Sequence, residues 1–326
     1  MKNLFISADE AAEHIRKGAV AVISGTENVL AGLPKGQWVG GTTAYFMAPG
    51  GGTIDQERVF CTLIDEATDS RVAVLTPGEL PGVVDGRFKN GFSYLLLPAF
   101  SEAHRRYSLD ASHYRGLYDQ PIMGWITGVH LDELGKRSPK VFDGSSGQAQ
   151  DNAAAVLRIE LPEGVMADLD IVNLFTQGDG PSIVFPETEF GASACMIDGK
   201  PANLARWLTE NGIDTKLPLV ANYVGVMVNV SVQDVDAEKG QVRFYSPVIE
   251  GETYRIARPV TDYAGAYAHC FNGDKKAADA LSCNCILNFL YASLEGKTTG
   301  GYVGPVTFGE VGFILLNQTL VRLCLE

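Results

Sequence analysis

Glu310 lies in the run Thr307, Phe308, Gly309, Glu310, Val311, with Asn317 a short way downstream. A lone carboxyl between two apolar stretches is costly to bury unless it is hydrogen-bonded or faces a cavity. Glu310, Thr307 and Asn317 together offer a carboxylate, a hydroxyl and an amide, a set suited to the ammonium and carboxyl groups of a small zwitterion. The alternative is a structural acid held by turn amides around Gly309. A second set is Gly40, Gly41, Thr42 and Thr43. Its glycines let backbone amides approach an anion, and its hydroxyls add hydrogen bonds. The same glycines suit tight packing of a strand on a helix, and neither a P-loop with its lysine nor a dinucleotide fingerprint is present. Trp125, Tyr302, Phe308 and Tyr45 neighbour these glycines and suit either a pocket wall or a core.

Catalysis has no comparable signature. No Gly-x-Ser-x-Gly elbow occurs, and Asp65–Glu66 and Asp132–Glu133 read as solvated loop charges. An enzyme using the Glu310 site, with Glu310 as base and Cys283 as nucleophile, is the alternative. It conflicts with the apolar surroundings of Cys283, which has no cation near it before Lys297. Cys283 and Cys285 with Cys270 and His269 do not have the ligand spacing of a zinc site. No metal is therefore expected, and no motif calls for a cofactor.

The elements that must position these residues are mixed. Ser7 and Glu10 form a capping box for a helix that Gly18 ends. Strands are expected at 19–24, 37–47, 58–64, 71–75, 92–97, 120–129, 156–161, 283–291 and 313–325. A helix over 262–279 is broken near Asn272 and Gly273. Strands outnumber helices and do not alternate with them one by one, so the expected class is α+β, with mixed sheets, packed helices and two lobes. A loose Gly/Pro stretch at 176–189 divides the lobes, 1–175 and 176–326. The glycine-interrupted strand ends near Gly40 and Gly124 hint at a degenerate repeat in the N-terminal half.

Composition narrows the partners. The 326 residues are 46% hydrophobic and 20% charged, as in ordinary globular proteins. The net charge of −13 opposes nucleic acid and anionic lipid. No run reaches membrane-span length and no signal peptide is evident. Six scattered cysteines in mostly apolar runs read as reduced thiols, so a cytoplasmic location is expected.

Gly304, Thr307 to Val311, and Asn317, Gln318 and Thr319 resemble the C-terminal signature of FIST domains, the sensory modules of F-box and intracellular signal transduction proteins. Residues 198–202 (DGKPA), 248–259 (VIEGETYRIARP) and 280–290 (ALSCNCILNFL) resemble further parts of that family's C-terminal half. Residues 39–47 (VGGTTAYFM), 122–129 (IMGWITGV) and 140–144 (KVFDG) are similar to its N-terminal half. Ile286 or Leu287 stands where an arginine commonly follows the family's cysteine, and Leu316 where a histidine often precedes the Asn. The resemblance implies a non-enzymatic sensory protein of signal transduction, with a small ligand, such as an amino acid, held between the lobes. It carries no output domain in these residues, so its partner would be a separate histidine kinase or cyclic-nucleotide signalling enzyme. Because some FIST proteins are described as haem-based gas sensors, the resemblance also implies haem as an alternative, with His104, His113, His130 or His269 as axial ligand.

Overall fold

The structure is a computed structural model that describes residues 1–223, 226–270 and 277–326. Strand makes up 43% and helix 19%, in several mixed sheets, so the fold is α+β. The chain folds into two compact units. The first comprises residues 1–172, 264–315 and 320–326, and the second residues 173–263 and 316–319. The first boundary falls near the expected 175/176, but the second half is not one lobe. Residues 264–315 and 320–326 return to the first unit.

The return has a topological cause. Among the described residues, the first unit holds three six-stranded sheets, and all three share one plan. The first sheet runs Lys2–Ile6, Val59–Leu63, Ala21–Gly25, Trp38–Thr42, Val141–Asp143, Gln148–Gln150. The second runs Asp69–Leu75, Ala154–Glu160, Gly91–Pro98, Ile122–Thr127, Glu310–Gly312, Ile314–Leu316. The third runs Ala167–Val172, Leu320–Leu325, Leu281–Cys285, Gly304–Thr307, Tyr45–Ala48, Gly51–Ile54. In each, the two central strands are parallel and joined through a helix: Glu27–Ala31, Glu102–Asp110 or Ile286–Tyr291.

Four strands of every sheet come from one part of the chain, split in the third sheet between residues 167–172 and 281–325, and the last two form a hairpin donated by another part. The hairpin after Trp38–Thr42 joins the third sheet, that after Ile122–Thr127 the first, and that after Gly304–Thr307 the second. The first unit is therefore three repeats in a closed cycle: residues 2–63, residues 69–160, and residues 167–172 with 281–315 and 320–325. The repeat hinted at near Gly40 and Gly124 is a threefold one spanning the whole unit.

Close backbone approach explains its glycines. A side chain on Gly124 would meet the Leu95 carbonyl at 1.7 Å, and one on Gly304, the corresponding position of the third repeat, the Ser282 carbonyl at 2.1 Å. Gly41 serves a ring instead. A Cβ there would lie 2.4 Å from the buried Trp125 indole and 2.6 Å from Thr127 Cγ2.

The helix Ala8–Arg16 starts as expected, with Ser7 and Glu10 bonded reciprocally. Two expectations near the C-terminus are corrected. Residues 283–291 are a strand end followed by the helix Ile286–Tyr291, whose first four residues are all buried, so periodicity does not reveal it. The final strand is interrupted at 317–319, where Gln318 takes φ +50° and turns the chain. The break expected near Asn272 and Gly273 lies outside the described residues.

The second unit is inserted into the third repeat after Ala167–Val172. It contains a six-stranded antiparallel sheet and a three-stranded one. Around the helix Leu204–Glu210 its core gathers Ile183, Phe185, Leu219, Val242, Phe244 and Tyr254. No helix among the described residues is long and apolar enough to cross a membrane.

Gly41→Ala is expected to cost about 1–3 kcal/mol through overpacking against Trp125. Chemical denaturation checks this, and adding Trp125→Phe should restore part of the loss.

Candidate functional site

The parallel strands Ala21–Gly25 and Trp38–Thr42 end on the same side of the first sheet, and crevices at the carboxyl ends of parallel strands are common ligand seats. The chain leaving Ile122–Thr127 crosses this place, with the Gly128 N–H donating to the Thr42 carbonyl at 2.8 Å. Between them is a cleft of about 100 Å³ whose walls include Glu27, Thr42, Thr43, His130, Glu133 and Arg137.

Its cause is a break in the threefold plan. In the first repeat Thr43 and Ala44 lead from the second parallel strand to the donated hairpin, and in the third Phe308 and Gly309 do. In the second repeat residues 128–140 fill that place, and they form one wall of the cleft. The corresponding junction of the second and third repeats is filled by Phe308, whose ring occupies the space beside Gly128 (2.3 Å from an added Cβ) and meets Phe100 edge-on. At the junction of the third and first repeats, Tyr45 and Phe289 pack edge to face at 5.7 Å.

The 128–140 segment is held by polar contacts. Lys140 N–H donates to Thr42 Oγ1 at 2.9 Å, and Lys140 Nζ pairs with Glu27 Oε1 at 2.5 Å. The Leu131 N–H donates to Tyr45 Oη at 3.0 Å, and the His130 ring stacks on Tyr45 at 5.6 Å. His130 Nδ1 accepts from the Asp132 N–H, and Arg137 pairs with Glu133 at 3.2 Å. Glu27, Arg137 and Lys140 were not legible as site residues, and His130 was considered only as a haem ligand. Only register against the other repeats shows that residues 128–140 are an extra segment.

The expected site residues disperse. Thr42 and Thr43 reach the cleft, although the Thr43 hydroxyl is already used, donating to the Val306 carbonyl at 2.7 Å. Gly40 and Gly41 serve packing, the first against Trp38 and the second against Trp125. Glu310 lies opposite Trp125 in the second sheet, fully buried. By register it takes the place of the buried Phe46 and Phe142 of the other repeats. Thr307 Oγ1 is 3.3 Å from Glu310 Oε1 and also reaches the carbonyls of Gly309 (3.1 Å) and Asn284 (3.3 Å). Gly309, at φ +153°, has a backbone that side chains disfavour. Glu310, Thr307 and Gly309 are thus brought together, inside the first unit rather than on the cleft. Tyr302 is bonded to Arg322, which pairs with Asp170 at 2.7 Å. Asn317 belongs to the second unit, where its Oδ1 accepts from the Ser231 N–H and its Nδ2 donates to Ser246 Oγ.

Thiol chemistry is quenched by burial. Desolvation and the nearby Glu310 push the Cys283 thiol well above its ordinary value, and burial takes Cys61 to about 12. The nucleophile role considered for Cys283 therefore has no thiolate at neutral pH. Among the described residues no group of three or more His, Cys, Asp or Glu side chains is arranged to hold a metal. Among the described clefts, His130 alone of the histidines named for haem stands in a wall. The His130 cleft is far below the roughly 300–1,000 Å³ of pockets for larger ligands, and the clefts of about 500 and 440 Å³ in the two units have no histidine in their walls. His104 is buried and accepts from the Phe100 N–H, whereas His113 and His269 are exposed.

Burial depresses the His104 pKa to about 4. The neutral ring is thus favoured in the folded state, and its contribution is complete above pH ~6.5 and lost as pH falls towards 4, about 3 kcal/mol in all. Denaturation between pH 7 and 4 should show a shallower decline for His104→Asn. Iodoacetamide on the native protein should label Cys270, the exposed cysteine, well before the five buried ones. Rapid labelling of Cys283 would contradict the burial argument.

Residues 6–326 match the family of unknown function DUF6976, and the chain belongs to that family. No curated protein matches it.

Proposed function

We propose that this DUF6976 protein is a small-molecule-binding sensory protein, akin in role to the FIST modules its C-terminal signature resembles, with its ligand in the cleft beneath residues 128–140. One observation carries the reading. The junction of the first two repeats holds a polar cleft under an added segment, whereas aromatic rings pack the other two.

The ligand class follows from charge and size. Arg137 suits a carboxylate, Glu27 and Glu133 suit an ammonium, and Thr42 adds a hydroxyl. A volume of about 100 Å³ accommodates several waters, or a ligand of about six to ten non-hydrogen atoms. A small amino acid satisfies both conditions. Binding would exchange the Lys140–Glu27 and Arg137–Glu133 pairs for contacts to the ligand and favour one arrangement of that segment. A histidine kinase or cyclic-nucleotide enzyme is the proposed reader of that change. The six free cysteines support a cytoplasmic, reducing setting for this role.

Thermal-shift measurements with a panel of amino acids and small carboxylic acids test the reading. At hundredfold excess over Kd a true ligand adds about 2.7 kcal/mol of stability. Arg137→Ala and Glu27→Gln should each weaken binding about tenfold or more, a loss of one charge-assisted hydrogen bond. A panel without any stabilising member, or full binding by both variants, would sink the proposal.

A further inference from the structure

Arg158 lies in the Ala154–Glu160 strand of the second repeat with only 8% of its surface exposed. Its Nη2 donates to the Gly82 carbonyl at 3.0 Å, while its Nε is buried without a hydrogen-bond partner. Among the described residues it has no ion pair. Register places Arg71 directly opposite it on one side and Ser93 on the other. Like charges facing each other across an antiparallel pair are destabilising. The Ser93 hydroxyl is likewise buried and unpartnered.

Arg158 forms a wall of an open cleft of about 500 Å³, together with Gly82, Asp85 and Gly86. Asp85 is near enough to favour the guanidinium charge without pairing with it. Glu79, also in the wall, is occupied by the Thr76 N–H and hydroxyl at 3.0 and 2.7 Å. The Arg71 guanidinium, exposed, lies over the Phe88 ring at 4.3 Å and 4.0 Å from Asp69 Oδ2. A buried charge with no counter-charge is expensive, and a second cation opposite raises that cost. An oxyanion in the cleft removes both costs at once, and the planar guanidinium edge suits carboxylate or phosphate oxygens.

We infer that this cleft binds the oxyanion group of a small ligand, carboxylate or phosphate, through the Arg158 guanidinium, with Arg71, opposite Arg158 but outside the cleft wall, adding to the positive potential. The site is independent of the one under residues 128–140.

The probes are inorganic phosphate and acetate, each compared with chloride at equal ionic strength by thermal shift and calorimetric titration. At least one should raise Tm above the chloride control, and the better binder distinguishes a phosphoryl from a carboxylate ligand. Arg158→Gln should weaken that binding tenfold or more, Arg71→Gln several-fold, and Arg137→Ala not at all. The Arg158 Nε–H resonance should shift on titration. Equal Tm in all three salts, or undiminished affinity in Arg158→Gln, would overturn the site. Should Arg158→Gln not fold, the exposed Arg71 decides, because unchanged affinity in Arg71→Gln also overturns it.

Discussion

Every second parallel strand in the first unit has an edge that its own repeat leaves open. Backbone groups buried there must find partners, and an open strand edge is a liability in water. The hairpin of another repeat supplies the partners in all three cases: Tyr45–Ala48 against Gly304–Thr307, Val141–Asp143 against Trp38–Thr42, and Glu310–Gly312 against Ile122–Thr127. No repeat completes its sheet alone. This requirement fixes where the chain must go, and with it which connections are free to vary. Residues 128–140 and the inserted second unit both lie in connections, outside the paired strands.

The same requirement gives the interior its unusual polarity. A hairpin position that is Phe46 or Phe142 in two repeats is Glu310 in the third, and the aromatic volume lost there is replaced by a carboxyl beside Thr307 and near Cys283. Buried polar groups are tolerated when satisfied, and Thr307 is central here because its hydroxyl lies within reach of three oxygens. The interior carboxyl and the cleft are separate departures from the threefold plan. One substitutes a side chain and the other lengthens a connection.

Much of this was legible locally. The Ser7–Glu10 capping box, the apolar strand runs and the α+β class all follow from composition and periodicity. The cycle was not, because its repeats share register rather than residues. Before the strand-ending threonine stand Gly40 and Gly41 in one repeat, Trp125 and Ile126 in the next, and Pro305 and Val306 in the third. Gly41 reads as a place for a ligand to approach, and only the fold reveals that Trp125 occupies the space. Thr42 and Thr43, which line the cleft, stood out because hydroxyls beside glycines are conspicuous. Glu27 and Arg137 look like ordinary surface charges until three connections are compared. Arg158 escapes notice for the opposite reason, since a single arginine in an apolar strand gives no hint of lacking a partner.

The closed cycle also orders events in time. Thr43 donates its hydroxyl to the carbonyl of Val306, 263 positions further along the chain. The hairpin at Tyr45–Ala48 therefore leaves the ribosome long before the strand that receives it. Until residues 304–307 are synthesised an apolar hairpin is exposed, and until residues 310–312 follow so is the open edge of Ile122–Thr127, and such species are prone to aggregate. Contacts this distant in sequence also slow folding. Synthesis of residues 304–316 is thus the event that closes the ring, and a nascent chain stalled before them can complete its first sheet but neither of the other two.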